Sequence, residues 1–213
     1  GRKVLTQPVA VKTVVDFADS IGAVKLFDAG DVQANGFQIV EDSREGQTLS
    51  DTGASYMGFA SSAVLATAIS EKPFYAVAFC GDGSFMMNPQ ILIDGVQHGA
   101  RACIVLFDNR RMAAISGLQH AQYGHEYKTS DGVVVDYVAM ANSVKGVKAF
   151  FGGTSVDELK KALRDAKAYD GLSLVHVPVY SGPHELGGMG VFGDWNVGNW
   201  CERVQEEHHR IGL

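Results

Sequence analysis

GDGSFMMNPQILIDGVQHGARACIVLFDN, residues 81–109, is the stretch that decides the fold. An apolar run at 74–80 leads into Gly81, Asp82, Gly83 and Ser84, and a second run at 103–107 ends at Asp108 and Asn109. Two strand-like runs separated by a helix-length segment predict a βαβ unit, whose ligands sit at the carboxyl ends of the parallel strands. Asp82 and Asn109 therefore belong to one rim.

The residue types suggest what that rim can hold. A hard cation such as magnesium takes oxygen ligands, commonly one or two carboxylates with phosphate oxygens and water completing the shell. Asp82 offers a carboxylate and Asn109 an amide oxygen. Gly81 and Gly83 let backbone approach a bulky anion, and the Ser84 hydroxyl with the N–H groups opening the next helix suits phosphate. GDG is also an ordinary strand-to-helix turn with Asp as a cap, so the tripeptide alone leaves both readings open.

The spacing adds a resemblance. The stretch resembles the thiamine-diphosphate signature of acetohydroxyacid synthases, 2-oxo acid decarboxylases and related enzymes, in which GDG is followed at a set distance by a pair ending in Asn. Here the step from Asp82 to Asn109 is 27 residues (109 − 82), as in the synthase branch. The resemblance implies an α/β fold with a doubly wound parallel sheet and helices on both faces. It also implies thiamine diphosphate bound through Mg2+, with the metal held by Asp82, the Asn109 side chain and the backbone carbonyl of Arg111. Asp108 stands where a first Asn is usual, a variation of the trihydroxycyclohexanedione hydrolase branch.

A chain of 213 residues with 46% apolar residues can bury a full core, and no linker or repeat divides it, so residues 1–213 are read as a single domain. A formal charge of −6 without a Lys/Arg run argues against nucleic-acid binding. No apolar stretch reaches the ~20 residues of a membrane span, and residues 1–16 lack a signal-peptide core. Cys80, Cys103 and Cys201 are widely spaced and odd in number, which suits a reducing, cytoplasmic setting.

Towards the amino end, Val11, Val14, Val15, Phe17, Ala18 and Ile21 recur near a helical period after Pro8, predicting a helix over 8–21. A strand is expected at 24–27, followed by the turn-rich DAGDVQANG. Gly30 matches a family Gly whose backbone meets the diphosphate. Asp31 follows it where the synthases have polar donors, and a carboxylate there repels phosphate unless it faces away or shares a hydrogen bond. Asp31 is thus read as a turn residue beside the cofactor.

The next stretch, SDTGASYMGFASSAVLATAIS, leads into an Ala-rich helix whose Ala60, Ala63 and Ala66 should pack on the sheet. Met57 lies 25 residues (82 − 57) before Asp82, the separation seen in the family, where a large apolar side chain wedges between the cofactor's two rings. Unbranched, polarizable Met suits contact with aromatic rings, although a lone Met is ordinarily a core residue. In the same register, the resemblance places the Ser55 carbonyl and the Met57 N–H on the aminopyrimidine.

Beyond Asn109, Met112 and Ala113 fit a cofactor-facing turn, and Arg110 and Arg111 are candidates to attract an anionic substrate. His120 and His125 are possible proton carriers, although lone histidines are commonly structural. The remainder predicts a helix at 137–144, a strand at 147–151, a helix at 156–169 capped by Ser155 with Glu158, and a strand at 172–179; no chemistry is assigned to these elements. In the tail, GGMGVFG formally matches a dinucleotide fingerprint but lacks the following helix. Trp195, Val197 and Gly198 resemble the tail of the dione hydrolase branch.

Enzymes of this class need a Glu on the aminopyrimidine, which resides in a pyrimidine-binding domain that the resemblance does not find in these 213 residues. The expectation is a split enzyme: this chain as a lyase or transferase subunit, with a pyrimidine-domain partner in an α2β2 heterotetramer. The expected reaction breaks or forms a C–C bond beside a carbonyl, by acetolactate-synthase-like decarboxylation and carboligation of a 2-oxo acid such as pyruvate. Hydrolytic cleavage of a cyclic 1,2-diketone and a non-catalytic flavodoxin-like binding module are the alternatives.

Overall fold

A computed structural model describes residues 4–51 and 56–180. Six parallel strands form one sheet: β1 (Val24–Phe27), β2 (Thr48–Ser50), β3 (Ala76–Gly81), β4 (Ala102–Asp108), β5 (Val147–Phe151) and β6 (Leu172–Pro178), in the order β2-β1-β3-β4-β6-β5. The register sets Phe27 beside Phe79, Gly81 beside Phe107 and Asp108 beside Pro178, so β1, β3, β4 and β6 end along a common edge. The chain leaves β1 towards β2 and then returns past it to β3. Loops after β1 and β3 therefore diverge, and the crevice they leave is where open α/β sheets bind ligands.

The central strands β3 and β4 are buried nearly end to end, as expected of parallel strands covered on both faces. On one face, Val11, Val14 and Ala18 of α1 (Gln7–Ser20) join Leu159, Leu163 and Ala166 of α9 (Val156–Ala168) over Phe79, Val105 and Val175. On the other, α3 (Phe59–Ala63), α6 (Ile91–His98) and α8 (Tyr137–Asn142) cover Ala78, Ile104 and Leu174. Each fully buried Val, Leu or Phe contributes about 1.5–3 kcal/mol, so two such layers supply most of the driving force. Local signals agree with the packing: Pro8 lies in the first turn of α1, and Ser155 with Glu158 forms the capping box of α9.

Three features depart from the sequence expectation. Residues 31–39 form a helix, α2 (Asp31–Ile39), where a turn was expected. Gly36 lies inside it because the Phe27 ring occupies the space of a side chain; a Cβ there would lie 2.3 Å from Phe27 Cε1. Residues 48–50 (Thr-Leu-Ser), too short and too polar at both ends to announce a strand, add β2 as an edge strand through pairing with β1. The Ala-rich helix breaks into α3 and α4 (Ala66–Ile69), and Ala60, Val64 and Thr67 face inward while Ala63 and Ala66 are half-buried. Among the described residues no helix is long and apolar enough to cross a membrane.

Candidate functional site

Asp82 begins a single helical turn, α5 (Asp82–Phe85), directly at the end of β3, and Asn109 follows β4. Both are buried. Burial pushes the Asp82 carboxyl up to about 6, and the neighbouring Asp108 carboxylate pushes in the same direction, against backbone N–H groups that include Arg110. Two acidic side chains thus crowd one strand edge, an arrangement that a bound cation would relieve. Because α5 is one turn long, any phosphate there would rely on the Ser84 hydroxyl and individual N–H groups rather than on a helix dipole.

The segment after Asn109 is tightly folded. Arg110 adopts a left-handed conformation (φ 55°), its N–H donates to Asp108 Oδ1 at 3.1 Å, and the Arg111 N–H donates to Asn109 Oδ1 at 3.0 Å. Backbone bonds from Asp131 to the Arg110 carbonyl and from Met112 to the Thr129 carbonyl pin the turn on either side of Arg111. The Arg111 guanidinium pairs with Glu126 and donates to Ser116 Oγ, and that of Arg110 donates to the Asp131 carbonyl. Both head groups are engaged within the protein, and that of Arg110 lies in an exposed position.

Met57, Gly83 and Met112 converge. A Cβ on Gly83 would lie 3.1 Å from Met112 Sδ and 3.3 Å from Met57 Cε, so the two thioethers close over bare backbone. Met112 precedes α7 (Ala113–Tyr123), whose Ala113 is buried and whose Ala114 approaches Gly30. Gly30 has φ 81°, which favours glycine, and caps α2. Ser55, the glycine-rich tail, Trp195 and Cys201 lie outside the described residues.

Asp31 occupies the first position of α2, buried, with neither carboxylate oxygen hydrogen-bonded. Burial pushes its carboxyl up to about 6, against the pull of the Arg111 guanidinium. The folded protein therefore holds this proton more tightly than the unfolded chain. Stability falls as pH rises from about 4 to about 6, and above that the full penalty, about 3 kcal/mol for two pH units, remains. Asp31→Asn is expected to raise the melting temperature at pH 7.5, with the gain vanishing below pH about 4; thermal denaturation across pH checks it.

Two contributions escaped the sequence reading. Asp28, fully buried after β1, accepts hydrogen bonds from the N–H groups of Ala29, Gly58 and Ala60, each at 2.9 Å, and so fastens the turn that carries Met57. On β6, His176 Nε2 lies 2.9 Å from Asp108 Oδ2, and Tyr137, which opens α8, has its phenol pushed up by burial and by the Asp82, Asp108 and Asp131 carboxylates. A lone His in the otherwise apolar LVHVPV was the available signal. His120 and His125 are exposed, and the His125 ring lies against the Tyr123 carbonyl. Among the described residues no group of three or more His, Cys, Asp or Glu could hold a metal, so a cation here would need oxygens from Asn, backbone or ligand.

Comparison with known proteins agrees with this architecture. The family described as thiamine pyrophosphate enzyme, C-terminal TPP binding domain, matches residues 28–177. The 3D-(3,5/4)-trihydroxycyclohexane-1,2-dione hydrolase of Halalkalibacterium halodurans is 33% identical over 167 residues, 76% of this chain and 25% of that protein. The enzyme of the same name from Lacticaseibacillus casei is 30% identical over 177 residues, 80% of this chain and 27% of that protein. This chain therefore spans about a quarter of the length of those relatives. In fold it is similar to benzoylformate decarboxylase from Polynucleobacter necessarius, with TM-score 0.73 and 20% identity over 84% of this chain and 34% of that one. The chain belongs to the thiamine pyrophosphate enzymes, as their C-terminal TPP-binding domain.

Proposed function

We propose that this chain binds the diphosphate of thiamine diphosphate through Mg2+ and serves an enzyme that hydrolytically cleaves a C–C bond of a cyclic 1,2-dione. The observation that supports the binding is that Asp82 and Asn109 follow the ends of paired neighbouring strands, beside a Gly83 against which the Met57 and Met112 thioethers lie. The dione is favoured over a 2-oxo acid such as pyruvate by Asp108 and by the names of the relatives. The synthase-like spacing between Asp82 and Asn109 keeps acetolactate-type carboligation as the second reading.

The residues present fit the cofactor. Asp82, Asn109 and the Arg111 carbonyl supply the oxygen chemistry magnesium prefers, and phosphate oxygens and water complete its shell. When bound, thiamine diphosphate supplies an electron sink for cleavage beside a carbonyl. This chain's residues hold and orient: Gly30, Gly81, Gly83 and Ser84 accommodate the diphosphate, while Met57, Met112 and Ala113 line the ring side of the cleft. Asp31 opens α2 beside the diphosphate, where a bound proton would let it donate to a phosphate oxygen only below about pH 6. The activating Glu would come from a pyrimidine-binding domain, in the same polypeptide or on a partner chain of an α2β2 assembly. The buried free thiols of Cys80 and Cys103 suit a cytoplasmic setting.

Calorimetric titration with thiamine diphosphate, with and without Mg2+, tests the reading, followed by turnover of a cyclic 1,2-dione and of pyruvate with the pyrimidine domain present. Mg2+-dependent binding and dione cleavage are expected. Carboligation of pyruvate alone would establish the second reading, and Mg2+-independent binding of another nucleotide would leave a flavodoxin-like module.

A further inference from the structure

His176 is placed to control the turn that carries two of the three proposed metal ligands. Its Nε2 lies 2.9 Å from Asp108 Oδ2, across the β4–β6 boundary, and both side chains are largely buried. The other Asp108 oxygen accepts the Arg110 N–H at 3.1 Å, and the Asp108 carbonyl accepts the Val179 N–H at 2.9 Å. One carboxylate thus performs two tasks: Oδ2 anchors to β6 and Oδ1 holds the left-handed Arg110. That residue turns the chain between Asn109 and Arg111. A carboxylate offers a separate acceptor oxygen for each task.

The imidazole is held in place as well. Its ring meets Tyr137 edge-on at 5.3 Å and Phe151 at 5.9 Å, so it is wedged between α8 and the end of β5. Facing it, Asp108 lies close enough to Asp82 for their charges to interact. Loss of the bond from His176 would leave Oδ2 without this anchor and the Asp108 side chain freer to rotate. Such a rotation would release the Arg110 N–H and loosen the start of the turn, leaving the backbone bonds from Asp131 and Met112 to hold its far side.

We propose that His176 is a positioning residue that, by holding Asp108, fixes the turn presenting the Asn109 amide and the Arg111 carbonyl to the cation. This rests on the functional reading above, in which Asp82, Asn109 and Arg111 hold Mg2+. His176 itself touches neither metal nor cofactor in this scheme. It differs from a purely packing residue because the donor nitrogen, and not the ring, carries the effect. The inference extends the site onto β6, a strand to which the sequence assigned no chemistry.

The test is calorimetric titration of the full chain with Mg2+ at saturating thiamine diphosphate, for wild type, His176→Phe and His176→Gln. His176→Phe keeps an aromatic ring between Tyr137 and Phe151 but loses the donor. His176→Gln keeps a donor N–H at similar reach. Loss of a partner that orients a ligand typically costs about 10–100-fold in metal affinity, so His176→Phe is expected to weaken Mg2+ binding at least about tenfold. His176→Gln should remain within about threefold of wild type, well short of that loss. Mg2+ affinity is read on folded protein, below the metal-free melting temperature of each variant, which separates positioning from stability. Equal Mg2+ affinity of His176→Phe and wild type would overturn the inference, as would a His176→Gln as weak as His176→Phe. A wild-type chain that binds no Mg2+ would instead overturn the functional reading, and this inference with it.

Discussion

Asp82→Ala is expected to abolish Mg2+-dependent retention of thiamine diphosphate while leaving the fold intact. Loss of an outer-shell partner costs about 10–100-fold in metal affinity, and loss of a carboxylate ligand should exceed the upper end of that range. The side chain contributes charge at the strand edge and no core volume. Its carboxyl sits at about 6, well above its ordinary value, so the folded state binds the proton more tightly than the unfolded chain. The ionised form therefore weakens the metal-free protein above that pH, and the variant should melt no lower than wild type at pH 7.5.

The same shift sets the pH dependence of binding. In the wild type, Mg2+ affinity should be nearly level above pH 6 and fall about tenfold for each unit below it, as the proton competes with the metal. Calorimetry at several pH values, paired with thermal denaturation, checks both halves. Wild-type affinity in Asp82→Ala would remove Asp82 from the metal site.

The second large effect is structural. Asp28→Ala leaves the N–H groups of Ala29, Gly58 and Ala60 without their shared acceptor in a fully buried position. Hydrogen bonds to a charged group are worth about 1.5–3 kcal/mol each, and losses at one site do not add fully, so a destabilisation on the order of 4 kcal/mol is expected. For a chain of this size that corresponds to roughly 10 °C in melting temperature. The Met57 turn would loosen at the same time, so thiamine diphosphate should bind more weakly even below the new melting temperature. Unchanged stability in Asp28→Ala would show that other acceptors serve these groups.

Much of the scaffold was legible because its signals are local. Alternation of apolar runs with helical periods identified β1, β3, β4, β5, β6, α1 and α9 within a residue or two, and Ser155 with Glu158 marked the start of α9. The elements that sequence missed depend on distant partners. The three residues Thr48–Ser50 become a strand only because β1 offers an open edge, and Gly36 tolerates a helix because Phe27, on another element, fills the space beside it. Lys25 shows the same limit: its fully buried side chain pairs with Asp19 and Asp42, which no periodicity announces.

From sequence alone, the spacing of Asp82, Asn109 and Met57 determined the family resemblance and the residues expected to meet. Tertiary structure alone decided what surrounds them: the Arg111 guanidinium committed to Glu126, Asp31 buried without a partner, Asp28 gripping the Met57 turn, and His176 braced against Asp108. The physical reason is range. Periodicity and turn chemistry act over a few neighbouring residues, whereas the environment of a buried charge is set by whichever strands the sheet order places beside it.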